Sequence, residues 1–81
     1  MSRRQKIISD AISKNGMYKS KETGDLWVLK RVGKNNPRCR NYVIKHKHPN
    51  RNLHIHEYAC TVESAVKKIL KHEEWSIKCS E

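Results

Sequence analysis

The sequence predicts an α+β fold, in which an antiparallel three- or four-stranded sheet is flanked by an N-terminal helix and a C-terminal amphipathic helix. Two observations predict it. Apolar residues recur at helical spacing near both ends of the chain. Between them lie runs rich in β-branched and aromatic residues, separated by turn-forming residues. Because 81 residues suffice for one modest core, we predict a single small basic domain over residues 1–81.

The N-terminal helix is predicted from an apolar stripe. Ile8, Ala11 and Ile12 recur at i, i+3 and i+4. Ser2 is a candidate N-cap, and Asn15-Gly16 has the composition of a helix end. A helix this short must lay its stripe on another element to be stable.

Two strands and a basic loop are predicted next. Residues 17–21 are a strand candidate, and residues 22–25 have the composition of a turn. Residues 26–32 are rich in β-formers and largely apolar on both faces, which is typical of a central strand. Residues 33–38 contain Gly, Asn and Pro, so we expect a flexible loop suited to phosphate contact.

A hairpin is predicted over residues 42–58, with strands at 42–48 and 53–58 joined by a four-residue loop. In that register His46 lies opposite Ile55 and Lys47 lies opposite His54, and opposite residues point to the same face. The inner face would carry Ile44, Leu53 and Ile55, with His46 and His48 at its rim. The outer face would carry Val43, Lys45, Lys47, His54, His56 and Tyr58.

Histidines at positions 46, 48, 54 and 56 suggest a zinc or nickel site, because residues two apart on a strand share a face. A five-residue loop would bring all four together. It would also separate Ile44 from Leu53 and Ile55 and place those two beside Lys45 and Lys47. The hydrophobic pattern favours the four-residue loop, so we predict no metal site and no cofactor.

The C-terminal helix is predicted over residues 61–72, with Thr61 as its N-cap. Glu63 in the first turn and His72 in the last agree with the helix dipole. Trp75 and Ile77 are expected to fold back onto the core. The apolar stripe of this helix consists of Val62, Ala65, Val66, Ile69 and Leu70.

Charge indicates the class of partner. Eighteen Lys and Arg against eight Asp and Glu give a net charge of +10, spread along the whole chain, which favours DNA or RNA and allows an acidic protein as the alternative. Three widely spaced cysteines without a CxxC pair predict reduced thiols. The apolar runs are too short for a membrane span, so we expect a cytoplasmic protein with no membrane partner. With 36% apolar residues, both a monomer and a homodimer stay open.

Residues 16–70 resemble the sheet-plus-helix DNA-binding module of phage integrase arms and ethylene-response factors. The resemblance is carried by GMYKSKETGDLWVLKR, Tyr58 and the helix start at residues 61–65, TVESA. It implies a sheet set in the major groove of DNA. This chain has one strand more than the module, and an N-terminal helix in addition.

More loosely, the order helix, three strands, helix resembles the double-stranded-RNA-binding domain and the HicA-type mRNA-interferase toxins. RRQKIISDAISKNGM and NYVIKHKHPNRNLHIHEYA are the matching parts. The toxin's Gly-Ser-His segment and the RNA-binding domain's Lys-Lys-x-Ala-Lys helix start are missing from this chain.

These observations predict a non-enzymatic protein that binds DNA or RNA through a basic sheet face and the loop at 33–38. One alternative is a small, phage-encoded regulator or inhibitor that binds an acidic host protein. A second is an mRNA-interferase-like toxin that uses histidines as general acid and base. No catalytic residue is predicted. The predicted nucleic-acid contacts are Arg31, Lys34, Arg38, Arg40, Lys45, Lys47, Arg51, His54 and His56.

Overall fold

A computed structural model of the protein describes residues 3–32 and 40–80. Its strands form one four-stranded antiparallel sheet in the order β1-β2-β3-β4, and a helix stands at each end of the chain, so the predicted α+β fold is confirmed. The predicted loop at 33–38 lies outside the described residues. In chain order the elements are α1 (Arg3–Asn15), β1 (Met17–Lys19), β2 (Leu26–Arg31), β3 (Tyr42–Lys47), β4 (His54–Ala59) and α2 (Val62–Ser80).

Helix α1 follows its apolar stripe. Ile8 and Ile12 are buried, and the helix packs against α2 and β1. Gly16 ends it as predicted, because its φ of 71° lies in the left-handed region that glycine adopts without strain. The Gly16 amide donates to the Ile12 carbonyl at 2.9 Å, the bond of an αL cap. The predicted cap at Ser2 lies outside the described residues.

Strand β2 is central, as its sequence predicts. Trp27 on this strand is fully buried and lies opposite Tyr18 of β1 and His46 of β3. Its Nε1 donates to Glu73 Oε1 of α2 at 2.6 Å, and Thr23 Oγ1 donates to Glu73 Oε2 at 3.1 Å. A buried carboxylate on α2 therefore ties that helix to the middle of the sheet.

The core lies between one face of the sheet, called the inner face below, and the two helices. Lys68 of α2 reinforces this packing at the edge strand, because its Nζ donates to Glu57 Oε1 at 3.0 Å and to the Tyr58 carbonyl at 3.1 Å. The buried core residues are Ile8, Ile12, Tyr18, Trp27, Ile44, Ala59, Ala65, Val66 and Ile69.

Helix α2 runs further than predicted. It continues through Ser80 instead of ending near residue 72, since residues 73–79 contain neither Gly nor Pro. The expectation that Trp75 and Ile77 fold back onto the core is therefore wrong. Both lie within the helix, and Trp75 is 61% exposed. Among the described residues, no helix is long and apolar enough to cross a bilayer.

Replacing Thr61 with Ala should lower the free energy of unfolding by about 1 kcal/mol. Thr61 Oγ1 accepts a hydrogen bond from the Ser64 amide at 3.0 Å, which confirms the predicted N-cap. Urea denaturation followed by circular dichroism measures the change. Thr61→Ser keeps the acceptor and should stay close to the unsubstituted protein. Equal losses in both variants would show that the hydroxyl does not stabilise the helix.

The hairpin register differs from the prediction at one end. Ile44 pairs with Glu57, as predicted, but Lys45 pairs with Ile55 and His46 with His54. A β-bulge between these pairs leaves His56 as the extra residue on β4. The prediction of a single register is therefore wrong next to the turn, where the pairing is the one that a five-residue loop gives.

The register shift exchanges the side chains of the two sheet faces. Leu53 and Ile55, predicted to pack inside with Ile44, are 45% and 55% exposed. His54 and His56, predicted outside with Lys45 and Lys47, turn to the inner face. The exchange is stabilised on the inner face, because the His56 ring makes an edge-to-face contact with Trp27, with ring centroids 5.2 Å apart.

Candidate functional site

The second face of the sheet, called the outer face, carries no helix and no acidic strand position within residues 3–32 and 40–80. Alternation along the paired strands places lysines of β1, β2 and β3 on this face. On β4 the bulge makes Ile55 and Tyr58 its outward residues, opposite Lys45 and Val43. The outward strand positions are Met17, Lys19, Leu26, Val28, Lys30, Val43, Lys45, Lys47, Ile55 and Tyr58.

A shallow depression occupies the β3–β4 side of the outer face. Arg40, just before β3, places its guanidinium carbon 5.2 Å from the centre of the Tyr58 ring, a cation–π distance. Tyr58 is 37% exposed and Ile55 is 55% exposed, so aromatic and aliphatic surface lies between the cations. The depression is lined mainly by Lys30, Val32, Arg40, Lys45, Ile55 and Tyr58.

The predicted nucleic-acid contacts do not all share this face. Arg40, Lys45 and Lys47 do, whereas Arg31 lies opposite Tyr42, on the other side of β2 from the outward lysines. Arg51 is exposed in the β3–β4 turn.

The other four predicted contacts form two pairs. Lys34 and Arg38 lie outside the described residues. His54 and His56 lie on the inner face. The prediction did not include Lys19 and Lys30. Lys30 lies three positions after Trp27 on the same strand, so strand alternation places it on the face opposite to the one on which Trp27 is buried.

The inner face gathers every histidine of the chain. Its centre is His46, which is 1% exposed and stacks on Trp27 with ring centroids 3.8 Å apart and planes 4° apart. The other four rings have centroids 4.1 to 5.5 Å from that of His46. This histidine cluster consists of His46, His48, His54, His56 and His72.

Asp25 closes one side of the histidine cluster. It is 3% exposed, and its Oδ1 accepts from His48 Nδ1 at 3.1 Å. Its Oδ2 lies 3.0 Å from His46 Nε2, but the geometry is not that of a hydrogen bond. Among the described residues the buried His46 Nε2 therefore has no hydrogen-bond partner. Such groups are uncommon in folded proteins and costly.

Two rings of the cluster, His46 and His56, resist protonation. Burial lowers the pKa of His46 to about 4, against the opposing effect of Asp25. Burial, followed by the neighbouring His72, also lowers the pKa of His56. At pH 7 His46 is therefore neutral, which is the form in which an imidazole binds a metal.

Two overlapping groups in the described part of the chain have the composition and spacing of a metal centre. One is His46, His54 and His56, and the other is Asp25, His46 and His48. Within each group the candidate ligand atoms lie within 4.8 Å of one another. The four-residue loop, which would have kept the histidines apart, is not the one observed next to the turn.

Sequence reasoning did not identify Asp25 and Glu73 as residues of the inner face. Asp25 sits in a predicted turn and Glu73 lies beyond the predicted end of α2, so no pattern marked either as buried. His72 was assigned only to the helix dipole. The fifth histidine reaches the cluster because α2 crosses the inner face.

Comparison of the chain with protein-family models, characterised proteins and solved structures finds no match in any of the three.

Proposed function

We propose that the protein binds nucleic acid through the outer face of its sheet. The observation that carries the proposal is that β1, β2 and β3 turn four lysines outward, namely Lys19, Lys30, Lys45 and Lys47, with no Asp or Glu at any outward strand position. A one-sign array of cations on a flat surface matches the charge of a phosphate backbone.

The side chains among the lysines support nucleic acid over a simple anion. Tyr58 and Ile55 are exposed in the depression beside Arg40. Aromatic and guanidinium groups stack on bases, and aliphatic groups contact base edges or sugars. The histidines lie on the opposite face from the lysines, an arrangement that does not support the interferase-like alternative.

Replacing Lys45 and Lys47 with Ala should weaken binding and flatten its salt dependence. Each phosphate that a lysine neutralises contributes roughly 0.9 to the slope of log K against log salt on duplex DNA, so the double variant should lose about 1.8. Fluorescence anisotropy with labelled duplex DNA, single-stranded DNA and duplex RNA, each at several salt concentrations, measures the slope and ranks the three ligands.

The matched control replaces Lys6 and Lys14 of α1 with Ala. Both are exposed. The control therefore also removes two positive charges from the chain, but it leaves the sheet unchanged. The control variant should keep most of the slope of log K against log salt. Equal loss in both double variants would mean that net charge alone drives binding, and an unchanged slope in Lys45→Ala/Lys47→Ala would exclude the outer face as the binding surface.

If the partner is instead an acidic protein, a different result is expected in affinity capture. Affinity capture from nuclease-treated lysate should recover no stoichiometric protein if nucleic acid is the ligand. A stoichiometric protein whose capture requires Lys45 and Lys47 would instead assign the outer face to a protein partner.

A further inference from the structure

The inner face of the sheet holds a second array whose chemistry is unrelated to phosphate binding. The β-bulge at His56 turns His54 and His56 toward His46, so that three imidazoles from two neighbouring strands have ligand nitrogens within 4.8 Å of one another. Zinc–imidazole bonds are about 2.0 to 2.1 Å long. Modest side-chain rotations would therefore bring these nitrogens onto a common ion.

The buried member of this group is both fixed and unsatisfied. His46 is held by its stacking on Trp27, and its Nε2, although 3.0 Å from Asp25 Oδ2, makes no hydrogen bond to any residue that the structure describes. A hydrophobic residue stacked in the same place would leave no unsatisfied nitrogen. The presence of an imidazole there is explained if the ring serves a ligand.

Local charge at the cluster is opposite to that of the chain as a whole. Asp25 and Glu73 are 3% and 1% exposed. Across residues 3–32 and 40–80, neither forms an ion pair with Lys or Arg. Asp25 lies beside His46, and Glu73 accepts from Trp27, on which His46 stacks. These two carboxylates place negative charge beside the cluster in a chain whose net charge of +10 would otherwise repel a cation.

Of the two overlapping groups, the all-histidine one is favoured. Asp25 Oδ1 is already occupied by His48 Nδ1, so ligation through Asp25 and His48 would disrupt that hydrogen bond. A carboxylate next to a ligating histidine commonly orients the ring without binding the metal. His54 is exposed, which leaves the group open to solvent on one side.

We propose that His46, His54 and His56 bind one divalent transition-metal ion of the zinc class, with solvent completing its coordination. Three neutral nitrogen ligands suit zinc, copper and nickel, and are poor ligands for magnesium or calcium.

Titration calorimetry of the EDTA-treated and dialysed protein with zinc chloride tests this directly. One ion per chain should bind, and magnesium chloride should give no heat of binding. His54→Ala and His56→Ala should each weaken zinc binding by at least about tenfold, since even the loss of a residue that only orients a ligand costs that much. Circular dichroism of each variant verifies the fold independently of the metal.

His48→Ala is the matched control, because it removes an imidazole from the same cluster without removing a proposed ligand. Its zinc affinity should stay within a few-fold of the unsubstituted protein. Loss of binding in His48→Ala with retention in His54→Ala would overturn the proposed ligand set in favour of Asp25, His46 and His48. Absence of stoichiometric zinc binding to the folded protein would overturn the proposal altogether.

Cobalt(II) substitution supplies a second readout. A site of three imidazoles and solvent should give the visible absorption of four-coordinate cobalt, and this absorption should disappear in His54→Ala and His56→Ala. A spectrum of six-coordinate cobalt, identical in all variants, would contradict the assigned ligands.

Discussion

Replacing Trp27 with Phe should lower the free energy of unfolding by about 2 to 3 kcal/mol. The phenyl ring fits the site but donates no hydrogen bond, so the carboxylate of Glu73 loses the Nε1 donor at 2.6 Å while staying buried. Hydrogen bonds to a buried charge are stronger than those between neutral groups. A buried charge that loses a hydrogen-bond partner therefore lowers the stability of the fold. Urea denaturation followed by far-ultraviolet circular dichroism measures the loss.

Trp75→Phe is the matched control for that measurement. It makes the same chemical change on α2, at a side chain that is 61% exposed, and exposed substitutions usually stay within about 0.5 kcal/mol. If the two variants were equally stable, the bond between Trp27 and Glu73 would not be the tie that holds α2 to the sheet.

The metal-free protein should lose about 3 kcal/mol of stability through His46 as the pH falls from 7 to 4. The pKa of His46 is lowered from 6.5 to about 4 in the folded state, so the unfolded chain binds the proton more tightly. The contribution is therefore complete above pH 6.5 and is lost progressively as the pH falls toward 4. Urea denaturation at a series of pH values measures this dependence.

His46→Phe isolates the histidine's share of the pH dependence. The variant keeps an aromatic ring to stack on Trp27 and keeps every other titratable group, so the difference between the two pH profiles reports His46. We expect the profile of the variant to be flatter between pH 6.5 and 4. Parallel profiles would mean that His46 is protonated as readily in the folded protein as in the unfolded chain.

Local sequence patterns were sufficient to predict the elements of the fold. The Ile8 and Ile12 stripe and the stop at Gly16 define α1, and Thr61 marks the start of α2. These features depend on residues a few positions apart, which is the range over which periodicity and capping act. The end of α2 was missed, although the lack of Gly and Pro in residues 73–79 was a local signal that the helix continues.

The faces of the hairpin could not be predicted, because one inserted residue reverses them. Strict alternation places Ile55 inside and His56 outside, and the hydrophobic pattern supports that choice. The bulge at His56 separates two registers within the same hairpin, so Tyr58 keeps its predicted outer face while Ile55 changes sides. The contacts that favour the bulge are non-local. Trp27 supplies a ring for the histidines to pack on, and Asp25 supplies a carboxylate beside them.

This rearrangement gives the sheet two chemically distinct faces. Removing His54 and His56 from the outer face leaves lysines with Ile55 and Tyr58, a surface suited to phosphates and bases. Placing the same histidines inside completes the cluster around His46. The metal proposal, and the contribution of Ile55 to the nucleic-acid surface, therefore depend on the register next to the turn.

Nuclear Overhauser contacts to the Trp27 indole test that register most directly. With the bulge, the His56 ring protons should show contacts to the indole, whose centroid is 5.2 Å from that of His56, while the Ile55 methyl groups should show contacts to Lys45 and none to Trp27. Contacts from the Ile55 methyl groups to Ile44 or Trp27, with His56 showing none to the indole, would contradict the register and with it the positions of His54, Ile55 and His56 on which the metal proposal depends.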